Sequence, residues 1–356
     1  MCGNETISIP TQRAIMDMSL ENCSHTWFSS AAATRKERVM MQAVTSFRRF
    51  LSMGILALSL SASFAFADAG DAPRGFTGAD VPALTPILGD YVNIGARDEN
   101  NRTDILQLIE VLKEIGARDY MHLVWREENY PGAWEDFKRM APAFQAAGIN
   151  LWLYLTPPSE GVPEPFEDDY VTWAIECARL AKGHPIIKGV CIDDFNGNVK
   201  KFTPGYCKEM MREAHKIAPH LSLLVVCYYG YQNAIAPHVE TGAIDGVIFP
   251  YFYPHKNLSD TSQLMPQISA YRQWLDEKTM AGGLTNKMPL IVMVYGVRHS
   301  QSADAPTPDY VRQCLMIGRE ATGKGLANGV VTYCLQKHVP EFVAKVKNVY
   351  TAEQFE

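Results

Sequence analysis

The sequence lacks the short motifs that mark many metal and serine-nucleophile sites. No two of its eight cysteines are spaced C-x-x-C, which argues against a zinc ribbon. The first predicted strand contains no His-x-His, and the histidines His255, His299 and His338 stand alone in predicted loops. The nucleophile motif G-x-S-x-G is also absent. We therefore expect neither a metal nor another cofactor.

Basic residues are in the minority. The chain has 33 Lys and Arg against 39 Asp and Glu, a formal net charge of −6. Removal of residues 1–67 takes away six basic and four acidic residues and leaves 27 against 35, a charge of −8. An acidic surface argues against nucleic acid or an anionic membrane as the main partner.

An apolar run of small residues covers positions 50–64 and follows an arginine pair. The tripeptide Ala65-Phe66-Ala67 then fits the A-x-A cleavage pattern before Asp68. A membrane anchor is the alternative, but the run is short for a membrane span and ends in a cleavage motif. We predict a signal peptide over 40–67 and a secreted or periplasmic protein, with no stable membrane insertion after cleavage.

This signal divides the rest of the chain into three parts. Residues 1–39 show no periodic pattern and are interpreted as a mis-annotated or disordered leader. Residues 68–86 are rich in Gly, Pro and Asp and predict a linker. Residues 87–356 are predicted to form the folded domain.

A repeat of apolar strand, polar loop and amphipathic helix runs through this domain. Eight predicted strands, the first at Tyr91–Gly95, alternate with eight helices at about 30 residues a unit, which predicts a single (β/α)8 TIM barrel. A doubly wound open sheet is the alternative. It lacks support because Asn93–Arg97, after the first strand, is not the phosphate-binding loop G-x-G-x-x-G.

Two adjacent aspartates, Asp193 and Asp194, end the fourth predicted strand. The preceding run is almost entirely apolar, which is typical of a buried parallel strand whose polar residues are held to its carboxyl end. Two such neighbours raise each other's pKa, and burial disfavours both ionised forms. The alternative is a loop aspartate beside a helix-capping or lysine-paired one. We predict instead an acid pair at the catalytic mouth of the barrel.

Aromatic residues recur at nearly every predicted strand end. Flat rings stack on the apolar faces of sugars, while phenol, amide and guanidinium groups bond to the hydroxyls. Any one of these tyrosines is more often a packing residue, but their concentration predicts an oligo- or polysaccharide ligand. The predicted substrate-binding residues are Trp125, Glu127, Tyr154, Asn196, Tyr228, Tyr251, Tyr253, Tyr295, Arg298 and Gln336.

Glycoside hydrolysis usually needs two carboxyl groups across the scissile bond. The sixth and seventh predicted strands, ending near Tyr251 and Tyr295, carry no acid there, which leaves the aspartate pair and Glu127-Glu128. The missing acid keeps a non-catalytic carbohydrate-binding barrel open as an alternative. A lyase or isomerase that uses tyrosines as bases is a third possibility.

The strand end Ile192-Asp193-Asp194-Phe195 resembles the adjacent-aspartate signature of the O-GlcNAcase-like hexosaminidases among secreted glycoside-hydrolase barrels. In that family the 2-acetamido group of the substrate is the nucleophile. The resemblance implies that Asp193 orients and polarises the amide and that Asp194 is the general acid/base. It further implies that Tyr251 or Tyr295 holds the acetamide. The expectation is therefore an exported glycoside hydrolase.

Overall fold

The computed structural model describes residues 86–91, 97–252 and 254–352. Within these ranges eight parallel strands form a closed barrel in which each strand pairs with the next along the chain and the last pairs with the first. The predicted single (β/α)8 TIM barrel is confirmed. The strands are β1 Ile87–Tyr91, β2 Asp119–Val124, β3 Asn150–Leu155, β4 Ile187–Ile192, β5 Ser222–Val226, β6 Gly246–Pro250, β7 Leu290–Tyr295 and β8 Gly329–Tyr333.

An α-helix follows each strand and packs outside the barrel. The helices are α1 Ile105–Ile115, α2 Ala133–Ala147, α3 Tyr170–Gly183, α4 Pro204–His215, α5 Ala236–Glu240, α6 Leu264–Ala281, α7 Pro308–Gly323 and α8 Pro340–Tyr350. Their apolar residues recur at helical spacing; α1, for example, buries Ile105, Leu108, Ile109, Leu112 and Ile115. The described loops contain three short 3-10 helices, at Pro158–Glu160, Phe195–Gly197 and Gln232–Ile235.

The predicted leader and signal, and the linker up to residue 85, lie outside the described residues. In the ranges that the structure does describe, no helix is long and apolar enough to cross a membrane.

The first strand is the element that the sequence placed least well. Its prediction began at Tyr91, whereas β1 ends there, and residues 92–96 lie outside the described ranges. Gly89 and Asp90 interrupt the apolar pattern of β1 for structural reasons. A Cβ on Gly89 would lie 2.5 Å from the backbone oxygen of Asp119 on β2, and Asp90 is fully buried in an ion pair with Lys337.

Alternate side chains of the strands point into the barrel and fill it. This interior cluster has aliphatic, sulfur-containing and aromatic members: Ile87, Tyr91, Met121, Leu123, Trp152, Tyr154, Cys191, Leu224, Val226, Ile248, Ile291, Met293, Val331 and Cys334. Near the amino-terminal ends of β2 and β3, the indole N–H of Trp152 donates to the Asp119 carboxyl at 3.1 Å. Toward the carboxyl ends of the strands, the inward-facing side chains include Tyr91 and Tyr154, whose hydroxyls can form hydrogen bonds.

Candidate active site

Asp193 lies one residue beyond β4 and points toward the barrel axis. The Tyr154 hydroxyl donates to its Oδ1 at 2.9 Å, and the Tyr91 hydroxyl donates to its Oδ2 at 3.4 Å. The backbone N–H of Asp194 also donates to Oδ1, at 2.9 Å. Burial and the neighbouring Asp194 carboxylate raise the pKa of Asp193 to about 7, although these three donors oppose the shift. The three hydrogen bonds hold the Asp193 carboxyl in one orientation.

Asp194 adopts a left-handed backbone conformation, with φ 35° and ψ 38°. Successive residues of a regular strand point to opposite faces, so this turn is what lets both aspartates reach one site. The next residue, Phe195, anchors the turn by stacking on Phe202 with ring centroids 5.2 Å apart. A left-handed non-glycine residue costs on the order of 1–3 kcal/mol, and such strain is concentrated at functional sites.

The side chain of Asp194 is enclosed by other polar groups. Its carboxyl lies in hydrogen-bond contact with the carboxyl of Glu160 and the hydroxyl of Tyr228. Its Oδ1 atom is buried and accepts no hydrogen bond from a donor in the described part of the chain. Burial raises the pKa of Asp194 above its ordinary value.

Glu160 is the member of this site that the sequence analysis missed. It ends the 3-10 helix Pro158–Glu160 in the loop after β3. Burial, followed by the charges of Asp193 and Asp194, raises its pKa well above the ordinary range for a glutamate. The only signal in the sequence was an acid five residues beyond the end of a predicted strand, in a loop rich in Pro and Glu that contains several candidates.

Tyrosine side chains lie beside the carboxyl cluster, which we define as Asp193, Asp194 and Glu160. The Tyr91 ring contacts those of Tyr154 and Tyr333, with centroids 4.0 and 4.8 Å away, and Tyr333 contacts Tyr295 at 4.7 Å. The hydroxyl oxygens of Tyr228 and Tyr295 are 3.5 Å apart. Burial raises the pKa of each of Tyr91, Tyr154 and Tyr228 well above the usual value for tyrosine. These hydroxyls therefore stay protonated and remain hydrogen-bond donors.

Three other predicted binding residues lie in the loops that support this cluster. The indole N–H of Trp125 donates to the backbone oxygen of Glu160 at 2.9 Å. The side-chain oxygen of Asn196 accepts from the backbone N–H of Tyr228 at 3.3 Å. Gln336, beyond β8, donates its amide N–H to the backbone oxygen of Gly296 at 3.0 Å.

Three further predicted residues, Glu127, Arg298 and Tyr251, are not brought into the carboxyl cluster. Glu127 is exposed and accepts from the backbone N–H of Gly132 at 2.7 Å. Arg298 is exposed and donates to the backbone oxygen of Ser302 at 3.2 Å. Tyr251 packs between barrel and helices, with its hydroxyl donating to the backbone oxygen of Asp260 at 2.9 Å. Tyr253 lies outside the described residues.

No protein-family model and no curated protein matches this sequence. Several solved structures share its fold. A GH5_18 variant from Streptomyces cattleya in complex with Manb1-4GlcNAc is 11% identical, with a TM-score of 0.51 over 70% of this chain and 71% of that one. A proposed alpha-L-fucosidase from Bacteroides thetaiotaomicron is 11% identical, with a TM-score of 0.50 over 84% of this chain and 99% of that one.

A calcium-binding mutant of Bacteroides uniformis beta-glucuronidase 2 is 13% identical, with a TM-score of 0.45 over 70% of this chain. The chain spans 31% of the length of that protein. At such identities a match in structure carries the fold and not the chemistry. The chain is similar in fold to barrel proteins from bacteria.

Proposed function

We propose that the protein is a glycoside hydrolase that acts on a carbohydrate at the carboxyl ends of the barrel strands. The observation that carries this proposal is the carboxyl cluster, whose three acids have raised pKa values and face tyrosine rings and hydroxyls. Acids that hold a proton near neutral pH are what protonation of a glycosidic oxygen requires. The GH5_18 structure from Streptomyces cattleya, in complex with Manb1-4GlcNAc, offers support at the level of fold.

The proposed reaction assigns a different role to each aspartate. Asp194 gives a proton to the glycosidic oxygen while the bond from that oxygen to the sugar carbon breaks, and the bonding electron pair stays on the leaving oxygen. Asp193, fixed by Tyr91 and Tyr154, stabilises the positive charge that develops on the sugar side when it is ionised, which its pKa of about 7 allows at and above neutral pH. Water then adds to the sugar carbon and returns a proton to the Asp194 carboxylate.

The arrangement of the acids favours a nucleophile that belongs to the substrate. Two-carboxylate glycosidases hold their acids about 5–10 Å apart, on opposite sides of the scissile bond. Here Glu160 and Asp194 are in hydrogen-bond contact, and both come from loops after the adjacent strands β3 and β4. We therefore propose a 2-acetamido sugar whose amide oxygen bonds to the sugar carbon as the leaving oxygen departs, and water then adds to that carbon as its bond to the amide oxygen breaks. Tyr228, which lies beside Asp194, and Tyr295, whose hydroxyl oxygen is 3.5 Å from that of Tyr228, are the candidates to hold the acetamide.

A panel of chromogenic glycosides tests this function. Aryl glycosides of 2-acetamido sugars, in both anomeric forms, are compared with the matching 2-hydroxy sugars. We expect turnover of an acetamido sugar and little or none of its 2-hydroxy counterpart, because only the former carries the nucleophile. Binding of oligosaccharides without turnover of any of them would instead favour the non-catalytic carbohydrate-binding barrel.

We further propose that the protein is exported, on the basis of the apolar run at 50–64 and the cleavage pattern at Ala65–Ala67. N-terminal sequencing of the secreted or periplasmic protein is expected to begin at or near Asp68. Recovery of a cytoplasmic chain that begins at Met1 would contradict export without bearing on the chemistry.

A further inference from the structure

The position of Glu160 is fixed through its own backbone. Its carbonyl oxygen accepts from the indole N–H of Trp125 at 2.9 Å, and its N–H donates to the backbone oxygen of Pro157 at 3.0 Å. The Thr156 hydroxyl closes the same loop by donating to the backbone oxygen of Gly161 at 2.8 Å. A side chain on such a braced turn keeps its direction, which is what a proton-transfer partner needs.

A second set of bonds ties this loop to the one that carries Asp194. The side-chain amide of Asn198, only 8% exposed, donates to the Ser159 hydroxyl at 2.8 Å and to the backbone oxygen of Asp194 at 3.0 Å. Its oxygen accepts from the backbone N–H of Ser159 at 3.3 Å. Asn198 therefore links the loop that carries Glu160 to the loop that carries Asp194. It does so at Ser159, next to Glu160, and at the backbone of Asp194 itself. These bonds hold the Glu160 loop beside the Asp194 loop.

The electrostatic surroundings of Glu160 are acidic. Asp193 and Asp194 lie near it in the segment after β4, Tyr228 lies beside Asp194 after β5, and Tyr170 lies nearby at the start of α3. The guanidinium of Arg126 packs against the neighbouring Gly161, but it is paired with the carboxylate of Glu128 at 3.1 Å. Two ionised carboxylates in hydrogen-bond contact would repel each other at a cost that a single bound proton removes.

From this geometry we propose that Glu160 and Asp194 hold one proton between them and act together as the general acid of the site. The buried Oδ1 of Asp194, which accepts from no donor in the described residues, agrees with a carboxyl that is not permanently ionised. A pair of this kind titrates as a unit. The pair therefore releases its last proton at a higher pH than either acid would if it stood alone. Asp194 delivers this proton to the substrate, and Glu160 acts through Asp194 by sharing it.

The catalytic part of this inference rests on the proposed function. In the first step the shared proton moves to the glycosidic oxygen as that oxygen takes the electron pair of the breaking bond. The acetamide oxygen of the substrate bonds to the sugar carbon in the same step, which leaves both carboxylates of the pair ionised beside a positively charged cyclic intermediate. When water adds to the sugar carbon, the bond from that carbon to the acetamide oxygen breaks, and a proton of the water returns to the pair and restores the starting state.

Glu160→Gln tests the shared proton because it keeps the shape of the side chain and removes its charge. The pH profile of kcat/KM is measured for the wild type and for this variant. We expect the alkaline limb to move to lower pH by about one unit or more, since Asp194 then loses its proton without a like-charged neighbour. Activity is retained on the acidic side of the profile. Glu167→Gln, an exposed glutamate in the same loop, is the matched control and leaves the profile unchanged.

Carbon-13 NMR of labelled side-chain carboxyls gives a readout that needs no substrate. In the wild type, the Asp194 and Glu160 signals are expected to titrate together, with one step well above the usual carboxyl range. In Glu160→Gln, the Asp194 signal titrates at lower pH. The proposal of a shared proton is wrong if Asp194 titrates alike in the wild type and in Glu160→Gln. It is also wrong if both carboxyls of the wild type are ionised at pH values near 6. A shared proton in a protein that cleaves no glycoside would instead count against the proposed function alone.

Discussion

The hydroxyl of Tyr154 donates a 2.9 Å hydrogen bond to Oδ1 of Asp193. Tyr154 is the last inward-facing residue of β3, and Asp193 follows β4, so the bond joins neighbouring strands at the mouth of the barrel. The hydroxyl thereby stabilises the ionised form of a carboxyl that burial otherwise drives toward the neutral form.

Tyr154→Phe removes this donor and leaves the ring. We expect turnover to fall by about 10–100-fold, because Asp193 loses part of its orientation and part of the stabilisation of its charge. Tyr271→Phe is the matched control: this buried hydroxyl donates to the backbone oxygen of Cys227 at 3.3 Å, outside the barrel interior. Each variant loses about 1 kcal/mol of unfolding free energy. Equal effects of both variants on turnover would contradict a specific role for Tyr154.

The raised pKa of Asp193 predicts that stability falls as the pH rises. The folded state holds the proton of Asp193 up to a pKa of about 7, whereas the unfolded chain releases it near the ordinary value of 3.8. Between these values the folded state binds more protons, so each increase in pH favours unfolding. The pKa values of Asp194 and Glu160 are raised as well, and their contributions have the same sign.

Asp193→Asn imitates the neutral acid and removes one of these contributions. Thermal unfolding measured from about pH 4 to pH 8 is therefore expected to show a weaker decrease in Tm with pH for the variant than for the wild type. The exposed Asp168→Asn serves as the control and keeps the wild-type slope. An identical slope in Asp193→Asn would mean that Asp193 is ionised in the folded protein throughout this range.

The sequence predicted the barrel well because its strands and helices have different apolar periods. Eight strands that alternate with eight helices were predicted from these periods, and the described residues contain all eight of each. The predicted bounds of β1 lay too far along the chain. Its Gly89 and Asp90 break the apolar pattern because they contact β2 and Lys337, and no local sequence pattern reveals those contacts.

The candidate site was predictable only in part, for a similar reason. Asp193 and Asp194 stand out because two acids directly follow an apolar run. Glu160 reaches them through a loop whose course depends on Trp125 and Asn198, residues that are distant in sequence. Tyr251 and Tyr295 look alike at strand ends, but they differ by one position in strand phase. Tyr295 continues the inward-facing set of Ile291 and Met293, and its hydroxyl lies 3.5 Å from that of Tyr228. Tyr251 is out of phase with the inward-facing Ile248, and its hydroxyl donates to the backbone oxygen of Asp260.

The buried ion pair between Asp90 and Lys337 joins β1 to the segment after β8 where the barrel closes. Asp90 also accepts from the Thr332 hydroxyl at 2.6 Å, and both charged side chains are almost fully buried. Lys337→Met would leave the Asp90 carboxyl buried without its cation, at a cost of about 3–5 kcal/mol in unfolding free energy. The double variant Asp90→Asn, Lys337→Met is expected to lose less than Lys337→Met alone, as measured by urea unfolding. A double variant that is less stable than Lys337→Met would contradict this account.

The two aspartates are expected to respond differently to the leaving group of the substrate. Asp194→Asn removes the proton donor, so turnover falls by roughly 10²–10⁴-fold on glycosides with poor leaving groups. The loss is smaller on activated aryl glycosides, whose leaving oxygens need little protonation. Asp193→Asn lowers turnover on both substrate types alike, because it weakens the stabilisation of charge on the sugar or its acetamide.

These expectations are tested by measuring kcat/KM for each variant on a series of aryl glycosides that differ only in the pKa of the leaving phenol. Asp194→Asn should give a steeper dependence on that pKa than the wild type, and Asp193→Asn a parallel but lower line. Circular dichroism confirms that both variants are folded, since either Asn keeps the size of the side chain. Two variants that fold normally and retain full activity would make the acid pair structural, and the proposed hydrolase function would have to be abandoned.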